Sequence, residues 1–131
     1  MNVSSLYIAK IAKVFDGDTV MAHVKLGSAP EDLGTEVILE NKRIRLNRVD
    51  APKRNSSDDQ EKRRSRECHD YVRECLKSVD YTVYMKTYSH NGKIKADIWL
   101  TEESISNGWD STLNKMILDH GLAKEYNGSS S

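Results

Sequence analysis

Apolar and polar residues alternate through the first part of the chain. Between Tyr7 and Phe15 the apolar positions include Ile11 and Val14. From Thr19 to Leu26 they fall at Val20, Ala22, Val24 and Leu26, with Met21, His23 and Lys25 on the other face. A period of two marks a strand with one buried face. The two segments predict a hairpin with Asp16-Gly17 as its turn. After the loop GSAPEDLG a long strand is expected from Val37 to Val49, with Ile44 and Leu46 on one side and Arg43, Arg45 and Asn47 on the other. Ala51-Pro52 ends it, because proline donates no amide hydrogen and restricts the residue before it.

The period then changes. Cys68, Tyr71, Val72, Cys75, Leu76 and Val79 recur at helical spacing and form one apolar stripe. Ser57 with Gln60 reads as a capping box, and Asp58, Asp59 and Glu61 suit the positive end of the helix dipole. Two more strands, Tyr81 to Tyr88 and Lys93 to Leu100, flank a tight Asn91-Gly92 turn. TEESISNGWD is irregular. Ser111 then caps a short helix whose apolar side is Leu113, Met116 and Ile117, and Gly121 follows as its C′ residue. Strands in runs, with a helix between the third and fourth, give an α+β, mainly β chain. Its expected architecture is a five-stranded Greek-key OB barrel with two flanking helices.

A length of 131 residues suits a single domain, taken here as residues 1–128 with 129–131 as a disordered tail. The N-terminal segment lacks the charged start, apolar core and cleavage site of a signal peptide, and no apolar run is long enough to span a membrane. A cytoplasmic, monomeric protein with no membrane partner is expected. Cys68 and Cys75 stand about 10 Å apart along one helix, too far for a disulfide, and read as small buried hydrophobes.

The formal net charge is zero, so overall charge points to no polyanion. Its distribution is more informative. Between Asn41 and Arg66 there are ten basic and four acidic residues, a local excess able to attract phosphate. A solvated helix face with paired charges is the other reading of that excess. Asp18 closes the first hairpin and Asp50 ends the third strand; a barrel brings such strand ends together. Two carboxylates with a backbone carbonyl can hold a hard cation, and Arg45 can hold a phosphate beside it. Alternatively, Asp16 and Asp18 only shape a turn and Arg45 pairs with an acid. Spacing alone favours this second reading.

KVFDGDTV, RIRLNRVDAP, NGKIKADIWL and LNKMILDHGLAKEYNG occur in that order. Together they resemble the staphylococcal nuclease (thermonuclease) family along most of Tyr7 to Gly128, with an insertion-like loop around Gly27 to Gly34. The resemblance implies an OB barrel, though the family's third, C-terminal helix has no counterpart by Gly128. It implies hydrolysis of DNA and RNA phosphodiesters with a calcium ion. Asp18, Asp50 and the carbonyl of Ala51 match the ion's ligands, and Arg45 matches a phosphate-binding arginine. The family's catalytic carboxylate falls at Lys53, and its second catalytic arginine falls at Lys93. His90, Asn91 and Lys93 lie on a hairpin that in the family approaches the nucleotide's terminal phosphate, and Tyr126 lies near where the family places tyrosines against the base. A plain hairpin tip and a core-edge aromatic are the other reading of these residues.

Those two departures carry the functional expectation. An ammonium can neither take a proton from water nor accept a hydrogen bond from metal-bound water. Losing a general base costs about 10²–10⁴ in rate, and lysine lacks the planar fork of arginine. Lys53, or Arg54 in its place, can neutralise Asp18 and Asp50, leaving calcium or another divalent cation weakly bound or absent. The expectation is a domain that binds nucleotide or nucleic-acid phosphates through Arg45, Lys53, Arg54 and Lys93, with weak or no hydrolysis. The alternatives are an active metal-dependent nuclease whose base is Asp58, Asp59 or Glu61, and a protein-interaction or inhibitor module on the same fold. His23, His69 and His120 show no catalytic spacing, and Trp99 and Trp109 read as core.

Overall fold

A computed structural model describes residues 4–28 and 36–126. Most of the Gly27 to Gly34 loop and the tail at 129–131 lie outside the described residues. Five strands close a barrel in the order β1 (Ser4–Asp16), β2 (Thr19–Ser28), β3 (Glu36–Leu46), β6 (Lys93–Trp99), β5 (Thr82–His90), and β5 returns to β1. All neighbours are antiparallel except β3 and β6, which pair in parallel with Ile44 opposite Ile94, Arg45 opposite Lys95 and Leu46 opposite Ala96. This is the expected OB-type barrel.

The alternation read from the sequence is the alternation of burial. Val20, Ala22 and Val24 from β2, Ile44 and Leu46 from β3, and Val83 and Met85 from β5 fill the interior. Each fully buried branched or long side chain contributes on the order of 1.5–3 kcal/mol. Helix α1 (Asp59–Ser78) lies against the barrel through Ser65, Cys68, Val72 and Leu76. Its cap is Asp58, whose Oδ1 accepts from the Gln60 amide at 2.9 Å, so the cap sits one residue later than the expected Ser57. Helix α2 (Leu113–Asp119) is likewise capped one residue later than expected, by Thr112, whose hydroxyl accepts from the Lys115 amide at 3.0 Å. The irregular stretch before α2 contains 3-10 turns over Glu103–Ser111, interrupted at Gly108.

Two local differences from the sequence expectation shape the site. In the first hairpin Asp16 pairs with Thr19, so Gly17 and Asp18 make the turn. A Cβ on Gly17 would overlap Cys68 Sγ on α1, which explains the glycine there. The long third strand breaks after Leu46. Arg48 takes a left-handed conformation (φ 66°), and β4 (Val49–Asp50) leaves the barrel to pair with β7 (Lys124–Glu125). Tertiary contacts hold that unusual backbone. The Arg48 guanidinium donates to Glu125 Oε2 at 2.6 and 3.2 Å and lies 4.2 Å from the centre of the Trp109 ring, while its carbonyl accepts from the Tyr126 amide. One turn therefore aims both Asp50 and Tyr126.

Candidate phosphate-binding site

Asp18, Asp50, Ala51, Arg45 and Lys53 converge where the first hairpin turn meets β4. Asp18 is only 5% exposed and fully engaged. Its Oδ1 accepts from the Thr19 hydroxyl at 2.9 Å, and its Oδ2 accepts from the Ala51 amide at 2.9 Å. One guanidinium nitrogen of Arg45, Nη2, stands 3.5 Å from Asp18 Oδ2 and 3.5 Å from Asp50 Oδ1. The Lys53 ammonium lies 3.5 Å from the same Asp50 oxygen. At that end two carboxylates thus face two cations. The distances are long for charge-assisted hydrogen bonds, so these are loose pairs in a partly solvated setting.

Arg54 does not join them. Its Nε is 3.5 Å from Oδ1 of Asp16, the residue just before the hairpin turn. Lys53 is held at its backbone instead, where its amide donates to Glu61 Oε2 at 3.1 Å. That bond, followed by one from the Ser56 hydroxyl, keeps the Glu61 carboxyl below the usual glutamate range. A cleft of about 420 Å³ opens beside Lys53 and Glu61 toward Arg64 and Lys124, and a smaller one of about 170 Å³ lies between Asp18 and Arg54.

Lys93 stands at the start of β6, beside the Asn91-Gly92 turn, where both residues adopt positive φ (52° and 75°) as a two-residue hairpin loop requires. Asn91 is exposed at the tip. The side chain of His90 lies outside the described part of the structure. Tyr126 is presented by the chain after β7; its ring centre is 5.8 Å from the Arg45 guanidinium carbon and 5.7 Å from the Lys95 ammonium. Sequence reasoning did not single out Lys95. The signal was present, since Lys93 and Lys95 alternate with Ile94 just as Arg43 and Arg45 alternate with Ile44.

His23, His69, His120, Asp97 and the two tryptophans have structural partners. His23 Nδ1 accepts from the Asn41 amide, His69 Nε2 meets the Val14 carbonyl, and His120 contacts Tyr71. Trp99 is buried and donates to the Gly108 carbonyl, whereas Trp109 is half-buried under Arg48. Asp97 is buried and accepts from Asn47 and from the Tyr88 hydroxyl, whose pKa burial pushes up to about 12 with help from that carboxylate. Both cysteines are free, and burial raises the Cys68 thiol to about 11, which suits an inert core residue.

The geometry is that of an OB barrel with two aspartates and an arginine at one end. A sequence model described as "Staphylococcal nuclease homologue" matches residues 43–131. The chain belongs to that family. The matched span holds Asp50, Arg45, Lys53 and Lys93, while Asp18 and the first hairpin precede it. A search of curated proteins gives no match. Among the described residues no three His, Cys, Asp or Glu side chains come together as a metal cluster, and no helix is long and apolar enough to cross a membrane.

Proposed function

We propose that this domain binds the phosphates of nucleotides or nucleic acid at the Arg45 end of the barrel and hydrolyses phosphodiesters weakly or not at all. The observation that carries the reading is the Lys53 ammonium 3.5 Å from Asp50, beside an Arg45 that spans both aspartates. By the family resemblance Lys53 occupies the place of the catalytic carboxylate and Lys93 that of the second arginine. Asp58 is committed to capping α1, and Glu61 accepts from the Lys53 amide with its pKa lowered, which weakens it as a proton acceptor.

The donor set does not fit a divalent ion. Asp18 spends both oxygens on protein donors, and Asp50 presents the shared oxygen to two cations. A calcium ion needs six to eight oxygens and gains from net negative charge; here the two carboxylates are already matched by Arg45 and Lys53. Phosphate binding asks less of the site. Arg45 meets the aspartates through Nη2 alone at long range and keeps 41% of its side chain exposed, so its other edge can take a phosphate bidentately.

Calorimetric titration with thymidine 3′,5′-bisphosphate tests the reading. Binding should occur in EDTA, should not strengthen with calcium, and should weaken about tenfold or more in Arg45→Gln. Single-stranded DNA should remain intact with calcium or magnesium. Binding seen only with calcium, or metal-dependent cleavage lost in Asp50→Ala, would instead establish the active-nuclease alternative.

A further inference from the structure

The outer face of β3 continues past Arg45 into a second cationic area that the paired aspartates do not reach. Because β3 and β6 run parallel in register, Arg45 lies beside Lys95, and Arg43 and Lys93 each stand one residue before the Ile44–Ile94 pair. Inward-facing Ile44 separates the two arginines, so both project outward about 6.6 Å apart along the strand. That span is close to the separation of successive phosphates in an extended single strand. A cleft of about 560 Å³ opens here, lined by Lys42, Arg43, Arg45 and Lys93, and no acidic residue is among its described lining.

An aromatic ring borders this area. Two residues of β1 face one step of β2 between the Val14–Val20 and Asp16–Thr19 pairs, which leaves Phe15 as the extra residue of a β-bulge. Bulges re-aim a side chain out of the regular pleat and recur beside binding sites. The half-buried Phe15 ring lies with the Arg43 guanidinium 4.4 Å and the Lys13 ammonium 5.0 Å from its centre. An apolar ring shared by two exposed cations offers a stacking surface together with charges for the attached phosphate. Lys13, the longer contact and on a flexible stem, is the one a base would displace.

Building on the phosphate-binding reading above, we propose a second subsite in which Phe15 stacks one nucleobase and Arg43, with Lys93, holds the neighbouring phosphate. The domain therefore prefers a single-stranded chain of linked nucleotides to a mononucleotide. The test compares a short oligothymidylate with thymidine 3′,5′-bisphosphate on the intact chain. Wild type should bind the oligonucleotide more tightly. Phe15→Leu should weaken oligonucleotide binding about tenfold and leave the bisphosphate unchanged, while Phe15→Tyr, which keeps the ring, should restore wild-type binding. Arg43→Gln should reduce the slope of log K against log salt by about 0.7 for the oligonucleotide. If the bisphosphate binds through Arg45 while the oligonucleotide gains nothing or ignores Phe15→Leu, the subsite is overturned alone. If wild type binds neither probe, the phosphate-binding reading falls and the subsite falls with it.

Discussion

Two arginines on one face of β3, two residues apart, occupy opposite electrostatic surroundings. Arg45 stands between Asp18 and Asp50, with Lys53 sharing the second carboxylate. Arg43 stands over Phe15, and among the described residues no carboxylate pairs with it. At the Arg45 end charges cancel within the protein, so neither a cation nor an anion gains from the net field alone. At the Arg43 end no acid among the described residues compensates the charge, which favours a polyanion there. The zero net charge of the chain conceals this division. A neutral protein can carry a phosphate-attracting face when its acids are placed elsewhere, as Asp58, Asp59 and Glu61 are at the start of α1.

Both regions depend on one buried side chain, and removing it should have the largest effect. Asn114 is fully buried. Its Oδ1 accepts from the Ile98 amide at 2.9 Å, and its Nδ2 donates to the carbonyls of Asn47 at 2.9 Å and Ala96 at 3.0 Å. It fixes the end of β3 to β6 just where the chain turns toward Asp50. Asn114→Ala should lower stability by about 3 kcal/mol, because it leaves the buried Ile98 amide without its acceptor, takes a donor from the Asn47 and Ala96 carbonyls and empties a packed site. Urea denaturation measures this, and a loss below about 1 kcal/mol would mean that the strand ends are held by other contacts.

The next prediction breaks the contrast between the two ends. Lys53→Glu puts a third carboxylate beside Asp18 and Asp50, leaving Arg45 as the nearest opposing cation. The variant should acquire a calcium-dependent rise in melting temperature. At a concentration a hundred times its Kd, calcium should add about 2.7 kcal/mol, or about 10 °C for a domain of this size. Wild type should show no such rise. Oligonucleotide binding through Arg43 should keep its salt dependence, since nothing changes around Phe15. A wild-type response equal to the variant's would show that Lys53 does not displace the ion.

Much of this division was legible in the sequence, and the exceptions share a cause. Inward positions followed from alternation in β2 and β3, the Asn91-Gly92 turn from its residue types, and the meeting of Asp18 with Asp50 from strand order in a barrel. Each depends on local pattern or on topology. The break after Leu46 could not be read in this way, because Arg48 is held in a left-handed conformation by Glu125 and Trp109, residues distant in sequence. The β4–β7 pair spans two residues on each strand and carries no periodicity. Caps fell one residue late at both helices because adjacent polar residues compete for the role and backbone geometry decides between them. The bulge at Phe15 is likewise invisible to alternation, which predicts a ring on a regular face. Arg54 was expected to be able to reach the paired aspartates; it pairs with Asp16 because the hairpin turn is centred on Gly17-Asp18 and leaves Asp16 on the near side.

The smallest expected effect concerns how Lys53 is kept in place. Glu61 accepts from the Lys53 amide, and that bond holds its carboxyl below the ordinary value of 4.5. A folded-state pKa below the unfolded one means that the unfolded chain takes up the proton first as pH falls. The stabilisation is therefore fully present above about 4.5 and declines as pH drops through the folded value. Glu61→Gln keeps an oxygen acceptor for the amide but removes the charge. Its denaturation midpoint should lie slightly below that of wild type at pH 7, and the two should converge toward pH 3. A gap that stays constant across that range would assign the effect to packing instead of charge. Convergence would show that the carboxylate of Glu61 orders the turn that brings the Lys53 ammonium to Asp50.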